Sequence, residues 1–265
     1  MLAKRRQQEI LSLLSQHGEV KIQQLADRFS VSSMTIRRDL EHLETDGLLQ
    51  RTYGGAVTFE GGWMEPSLAS KKESHAGQKE EIAKTAAQLV EPGMSVILDA
   101  GSTALALAKE LVERAPLRVV TTDLDVAREL GGQEDIEVFV TGGQVRPEVY
   151  SLEGDMALRV LESVFVDIAF VGCDSFTEEF AMSRTVNKSA LKQSMMKAAS
   201  KKVLLADSSK FGHVVFSKVA PLSAYDAVVV DSGLAVGVRS ALLNKGIRLL
   251  QPDGGERLGS MNALK

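Results

Sequence analysis

The chain has 265 residues, 44% hydrophobic and 25% charged, a composition that excludes disordered, collagen-like and disulfide-stapled classes. At about 150 residues per domain, the length predicts roughly two domains. The formal net charge of −4, from 31 Lys and Arg against 35 Asp and Glu, excludes a surface uniformly coated in cations for nucleic acid.

Residues 1–59 carry helical periodicity. Ile10, Leu13 and Leu14 mark a first helix, stopped near His17-Gly18 by the glycine. Ile22, Leu25, Ala26 and Phe29 form one face of a second helix, and Ile36, Leu40 and Leu43 repeat that spacing in a third. The break between them, Ser30-Val31-Ser32, ends on a serine suited to cap the third helix. After Gly47 the pattern turns extended, and two short runs meet at Gly54-Gly55, a hairpin signal. Residues 60–77, with Gly61-Gly62, Pro66 and several serines, read as a linker, with the sole tryptophan, Trp63, inside it.

From residue 78 to 256 helices alternate with short apolar strands. The strands are Val96–Asp99, Arg118–Thr121, Val138–Thr141, Ile168–Val171, Val203–Ala206 and Ala227–Val230. Thr103–Glu113 and Asn187–Ser200 are two of the intervening helices. This alternation predicts a largely parallel sheet covered by helices, with ligands beyond the strands' carboxyl ends. Residues 257–265 read as a tail.

Three helices with tight breaks and a small hairpin describe a winged helix-turn-helix whose third helix enters the major groove of double-stranded operator DNA. Ser32, Ser33, Met34, Thr35, Arg37 and Arg38 lie at the start of that helix. Its hydroxyls suit phosphates and base edges, and its guanidinium forks suit phosphate and guanine. Arg51 and Tyr53 on the wing are further phosphate candidates, with Gly54 and Gly55 permitting close backbone approach. An Arg-Arg pair alone more often marks a solvated helix face, and an amphipathic three-helix cap or dimerisation domain is the blander reading. Residues 1–60 hold eight Lys and Arg and eight Asp and Glu, so the excess acidity lies wholly downstream. The DNA-binding cations are placed rather than abundant, which implies modest non-specific affinity and dependence on paired half-sites.

The stretch Lys21–Gly55, KIQQLADRFSVSSMTIRRDLEHLETDGLLQRTYGG, and within it VSSMTIRRDL with the downstream Tyr53-Gly54-Gly55-Ala56, resembles the DNA-binding domain of the DeoR/GlpR family of bacterial transcription regulators. Lys21, at the head of that stretch, joins the DNA-binding set. The resemblance runs through essentially the whole chain. It implies a regulator of sugar metabolism, commonly a repressor, whose C-terminal domain is similar in fold to ribose-5-phosphate isomerase and senses a phosphorylated sugar or a related anion.

In the second domain Asp99-Ala100-Gly101-Ser102-Thr103 spans a strand end and a helix start, an arrangement that offers free N–H groups to an anion. It matches the family's strand-end D-x-G-[ST]-[ST] motif, which the resemblance assigns to the effector. Simple capping by Ser102 is the alternative. Thr121-Thr122-Asp123 and Thr141-Gly142-Gly143 end the next two strands, and Arg146 is suited to fork onto an anion or to lie free in a surface loop. Gly172-Cys173-Asp174 ends a fourth strand, with Cys173 read as a small buried side chain. Lys192 and Lys210, the latter in a Ser-Lys-Phe-Gly motif of the family, suit either an anionic ligand or local salt bridges.

The sequence departs from the family pattern at three places. Asp123 stands where Asn is common, Ala181 replaces a glycine, and Lys188-Ser189 replaces a Glu-Ala pair. A cation at Lys188 points to an effector more anionic than usual, such as a sugar acid.

The alternative function is a sugar-phosphate isomerase or deaminase with an appended helix-turn-helix, in which Asp99, Asp123, Asp174 and Lys192 supply acid–base groups. A protein-interaction module is weaker, because it leaves Arg37 and Arg38 unexplained. His17, His42, His75 and His213 show no metal-ligand spacing, so neither metal nor cofactor is expected. The single cysteine excludes an intrachain disulfide and fits a reducing cytoplasm. No run reaches the ~18 apolar residues of a membrane span, and Met1–Glu9 lacks a signal-peptide core. The expected assembly is a homo-oligomer, dimer or tetramer, placing two recognition helices on paired half-sites.

Overall fold

The computed structural model describes residues 3–45, 49–57, 74–146 and 149–252. The chain divides into two compact units, residues 1–74 and 75–265. Residues 58–73, most of the expected linker, and the tail 257–265 lie outside the described residues, as does Trp63. The last two residues of the expected linker, Ala76 and Gly77, are already helical.

The first unit contains α1 (Ala3–His17), β1 (Glu19–Lys21), α2 (Ile22–Phe29), α3 (Ser33–Thr45), β2 (Gln50–Thr52) and β3 (Gly55–Val57). α1 ends where Gly18 turns left-handed at φ +73°, and α2 ends on Ser30 at φ 52°. The predicted apolar positions Ile10, Leu14, Ile22, Leu25, Ala26, Ile36, Leu40 and Leu43 share one buried core with Val20, Leu49 and Ala56. The wing is a three-stranded antiparallel sheet in the order β1-β3-β2, and the sequence pattern missed β1. Three residues are too short to show a period of two, so β1 is decided by its pairing with Gly55–Val57. Gly55 has no freedom to change, since a Cβ there would collide with the Val20 carbonyl.

A buried ion pair orients the third helix. Arg6 Nε and NH2 on α1 reach Asp39 Oδ2 and Oδ1 on α3 at 2.6 and 3.2 Å, and Gln7 Nε2 adds a bond of 3.2 Å. Both charges are at least nine-tenths buried. Each depends on the other, because an unpaired buried charge is expensive.

The second unit runs α4 (Ala76–Ala87), β4 (Ser95–Leu98), α5 (Ser102–Leu111), β5 (Leu117–Thr121), α6 (Leu124–Leu130), β6 (Ile136–Val140), β7 (Gln144–Val145), β8 (Leu152–Glu153) and α7 (Asp155–Glu162). It continues with β9 (Val166–Gly172), β10 (Ser175–Phe176), β11 (Phe180–Ser183), α8 (Val186–Lys197), β12 (Ala199–Leu205), β13 (Ser217–Pro221), β14 (Ala227–Val229), α9 (Val236–Asn244) and β15 (Leu249–Leu250). Seven strands form a wholly parallel sheet in the order β15-β14-β12-β9-β4-β5-β6.

Alternate residues serve opposite faces, as strand geometry requires. Val96, Leu98, Ile168, Phe170, Val203 and Leu205 pack under α4, α5 and α6. Ile97, Ala169, Val171, Leu204 and Val228 pack under α7, α8 and α9. Burial on both faces is why these strands read as continuous apolar runs. Smaller antiparallel pieces, β10-β11-β13 and β7-β8, were not legible in the sequence, because most are two residues long and owe their pairing to distant partners.

The chain leaves β4 towards β5 and β6, then returns to lay β9 on the other side of β4. This reversal puts a topological switch point at the carboxyl ends of β4 and β9, the place where open α/β sheets form a ligand crevice. We expect Arg6→Ala to destabilise the first unit by about 3–5 kcal/mol, the cost of stranding Asp39, as read by denaturant unfolding.

Candidate functional site

The start of α3 is built as the sequence suggested. Ser32 caps the helix, its Oγ accepting from Thr35 N at 3.2 Å, and the Ser32 and Thr35 hydroxyls bond each other at 2.9 Å. Met34, Arg37 and Arg38 are exposed, while Ser33 and Thr35 are half-buried. Ile36 and Leu40 turn inward and are fully buried.

The wing lies against this helix. Arg51 donates through Nε to Glu44 Oε2 at 2.7 Å and through its backbone N to Oε1 at 2.9 Å. These bonds hold the Glu44 carboxyl below the usual carboxylate range. Arg37, Glu44, Arg51, Tyr53 and Gly55 line one cleft of about 320 Å³ between helix and wing. Tyr53 is fully exposed. Lys21 sits opposite Gly55 in the ladder, and the Gly54 carbonyl accepts from Ile22 N at 2.9 Å. The eleven DNA-binding candidates therefore fall at the head of α3 and on the three-stranded wing, Lys21 on its β1 strand.

At the β4/β9 crevice, Asp99 is the centre. Its Oδ1 accepts from Ala100 N at 2.8 Å, and its Oδ2 accepts from Gly172 N at 2.8 Å and from the Lys192 ammonium on α8. Burial disfavours the Lys192 cation, but the Asp99 carboxylate outweighs that and raises its pKa. A Cβ at Gly172 would stand 3.4 Å from Asp99 Oδ2, at the edge of ordinary contact.

Two further lysines repeat the pattern. Lys188 Nζ lies 3.9 Å from Asp174 Oδ2, which also accepts from Ser183 Oγ at 3.0 Å and Arg184 N at 2.9 Å. Lys210 Nζ lies 3.5 Å from Asp207 Oδ2, and the Ser209 hydroxyl holds Oδ1. For Asp207, burial pushes the carboxyl up, but Lys210, Ser209, His75 and Lys79 outweigh it and bring it below the ordinary value. Cys173 lies among these charges, yet burial pushes its thiol up to about 12, which makes it an inert packing residue at neutral pH. Its place in the core of α7, α8 and β9 agrees with the sequence reading.

The α5 N-terminus faces the same end of the sheet. Gly101, at φ +120°, is the N-cap and Ser102 the first helical residue, with no side-chain cap. The capping alternative for Ser102 is therefore not realised, and Thr103 is buried in the first turn.

Asp123 resolves one departure from the family pattern. Its carboxylate accepts from Asp125 N, Val126 N and Gly101 N at 2.7, 3.1 and 2.9 Å. It caps α6 and ties the β5 end to the β4 end. Burial raises its carboxyl, against the pull of these amides.

The Thr121 hydroxyl accepts from Asp123 N at 3.1 Å, and Thr122 is buried beside it. Gly142 and Gly143 both have positive φ, and a Cβ on Gly143 would come within 2.5 Å of the Glu153 carbonyl. Arg146 pairs with Glu153 at 3.3 Å across the β7-β8 hairpin, rather than lying free in a loop.

Asp207 and Asp231 escaped the sequence reading. Each stands one residue beyond a parallel strand, after Ala206 and Val230, where Asp99 follows β4 directly, so an Asp after each apolar run was the available signal. Arg6 and Asp39 left no signal, because their pairing spans 33 residues.

A winged helix with exposed arginines at the head of its third helix, on a chain whose second unit carries paired lysines at a sheet switch point, defines a two-domain DNA-binding regulator. Residues 6–61 match a DeoR-like helix-turn-helix domain, and residues 74–232 match the DeoR C terminal sensor domain. An uncharacterized HTH-type transcriptional regulator, YgbI of Escherichia coli (strain K12), is 36% identical over 250 residues, 94% of this chain and 98% of that one. The lactose phosphotransferase system repressor of Lactococcus lactis subsp. lactis is 32% identical over 89% of this chain and 93% of its own. The glycerol-3-phosphate regulon repressor of Escherichia coli (strain K12) is 29% identical over 91% and 95%. Among solved structures, ribose 5-phosphate isomerase A from Methanocaldococcus jannaschii aligns over 52% of this chain and 55% of that chain, at 25% identity and a TM-score of 0.40.

The chain belongs to the DeoR family of DNA-binding transcriptional regulators. It is a regulator rather than an enzyme, and the isomerase alternative gives way.

Acid stability follows from Asp207. A carboxyl lowered in the folded state contributes stability above its unfolded pKa, and this is lost as pH falls through the lowered value. We expect Asp207→Asn to be less stable than the parent at neutral pH. The gap should close as pH falls below about 4, measured as Tm against pH.

Proposed function

We propose that the protein represses a carbohydrate or sugar-acid utilisation operon and that a small anionic sugar derivative, bound at the β4/β9 crevice, controls its hold on operator DNA. The observation that carries this reading is the set of three lysine–aspartate pairs at the carboxyl ends of β4, β9 and β12. An anion entering there offers each lysine a second partner, and the open first turn of α5 adds unpaired N–H groups. The relatives named for the lactose phosphotransferase system and for the glycerol-3-phosphate regulon support a carbohydrate-linked role.

The effector set comprises Asp99, Gly101, Ser102, Thr103, Gly172, Asp174, Lys188, Lys192 and Lys210, flanked by the strand ends at Thr121–Asp123 and Thr141–Gly143 and by Arg146. The two long pairs, at Lys188 and Lys210, are the ones an anion opens most readily. Lys192, buried and clamped by Asp99, serves chiefly to hold the crevice. A cation at Lys188 favours a ligand with more than one negative group, such as a sugar acid or a phosphorylated one.

Operator recognition rests on Arg37 and Arg38, with Arg51, Tyr53 and Lys21 on phosphates. The near-neutral N-terminal unit needs a second copy on a second half-site for tight binding, so the functional form is a homo-oligomer in the cytoplasm. The boundary between the domains falls within residues 60–77.

Arg37→Ala and Arg38→Ala should each weaken operator binding by about 1–3 kcal/mol in a salt-controlled anisotropy titration, with Tm unchanged. Unchanged affinity in both variants overturns the recognition-helix assignment. In a thermal-shift screen of sugar phosphates and sugar acids, the best ligand should raise the Tm of the parent. Lys188→Glu should lower that response most for the ligand of highest negative charge. An identical ranking in parent and variant overturns the role of Lys188.

A further inference from the structure

Two loops behind the crevice form one hydrogen-bonded unit. Ser208, in the turn after β12, donates through N and Oγ to Asp231 Oδ1 and Oδ2 at 2.6 and 2.8 Å. Gly233 N donates to the same carboxylate at 2.9 Å. Asp231 is fully buried, and these bonds meet its need for donors. A Cβ on Gly233 would stand 2.8 Å from Asp231 Oδ2 and 2.9 Å from Ser208 Oγ, so only glycine lets the two loops close this tightly.

The unit has a lysine at one end and a helix at the other. Lys210 pairs with Asp207, the residue directly before Ser208, and Lys210 N donates to the Asp207 carbonyl at 3.1 Å. Ser232 N, between Asp231 and Gly233, donates to Glu81 Oε2 on α4 at 2.9 Å, across 151 residues of sequence. A second link is electrostatic. Lys79, on α4 and buried, acts on the Asp207 carboxylate together with His75, the residue that precedes α4. In chain order α4 is the first element of the second unit, entered directly from the stretch that leads out of the DNA-binding unit.

We propose that the loops after β12 and β14 relay the state of Lys210 to α4, and so to the connection with the DNA-binding unit. The proposal rests on the reading that Lys210 meets the effector. An anion that draws Lys210 from Asp207 leaves a buried carboxylate short of one cation. Asp207 then shifts towards its remaining partners and carries the adjacent Ser208 with it. Because Ser208 is hydrogen-bonded to Asp231, and Asp231 is joined by the peptide bond to Ser232, that shift loads the bond from Ser232 N to Glu81. Asp231, Gly233 and Glu81 are thus positioning residues, acting through Lys210 and α4 rather than on a ligand.

Hydrogen exchange of the full chain, read by mass spectrometry without DNA or effector, tests this. Lys210→Met mimics withdrawal of the ammonium at similar volume and should speed exchange of the α4 amides about threefold or more, with α7 unchanged. Gly233→Ala, which wedges the loops apart while keeping every charge, should do the same and carries the test if Lys210→Met fails to fold. In a Glu81→Gln background, Lys210→Met should add little further change. Unaltered α4 exchange in Gly233→Ala and in a folded Lys210→Met overturns the relay, as does an undiminished Lys210→Met effect in Glu81→Gln. Failure here leaves the functional reading standing, because that reading is judged by the operator and ligand titrations.

Discussion

The bond between Asp99 and Lys192 is the constraint around which the second domain is arranged. Asp99 ends β4, Gly172 ends β9 and Lys192 belongs to α8, so one carboxylate joins the two strands of the topological switch and a helix of one layer. A charge this deeply buried is tolerable only when paired and hydrogen-bonded. Asp99 and Lys192 satisfy each other, and the carboxylate also takes the Gly172 and Ala100 amides. Asp123 plays the matching part on the other side, fastening the α5 N-cap to the β5 end through Gly101.

In both units several polar and charged side chains are held by other groups of the chain. In the crevice, Lys188, Lys192 and Lys210 each face an aspartate. In the winged helix, Arg51 rests on Glu44, and the Ser32 and Thr35 hydroxyls rest on each other. Such pairing fixes a side chain's direction before its ligand arrives, which lowers the ordering cost of binding. Two of the three lysine–aspartate pairs are long, at 3.9 and 3.5 Å, and the third, Lys192 with Asp99, is close and buried.

Much of this was legible in the sequence because the signals are local. The helical faces of α1, α2 and α3, the Ser32 cap and six of the seven parallel strands follow from residue spacing within a few turns or a single strand. What escaped is non-local. β1, β10, β11 and β13 lack a continuous apolar run and take their extended form from pairing with other strands. The charge arithmetic was similarly coarse: a net of −4 says nothing about Arg37 and Arg38 standing exposed at one helix start.

The sequence by itself determined the two-domain plan, the winged helix, the parallel sheet and the set of polar residues gathered at its carboxyl end, because burial periodicity, turn residues and strand-end motifs are written locally. Only the tertiary structure decided which of those polar residues hold one another: Asp99 with Lys192, Arg146 with Glu153, Asp123 with three amides, Arg6 with Asp39 and Ser208 with Asp231. A side chain's charge is a property of its residue, but its partner is set by the fold that brings distant strands and helices within hydrogen-bonding distance of one another.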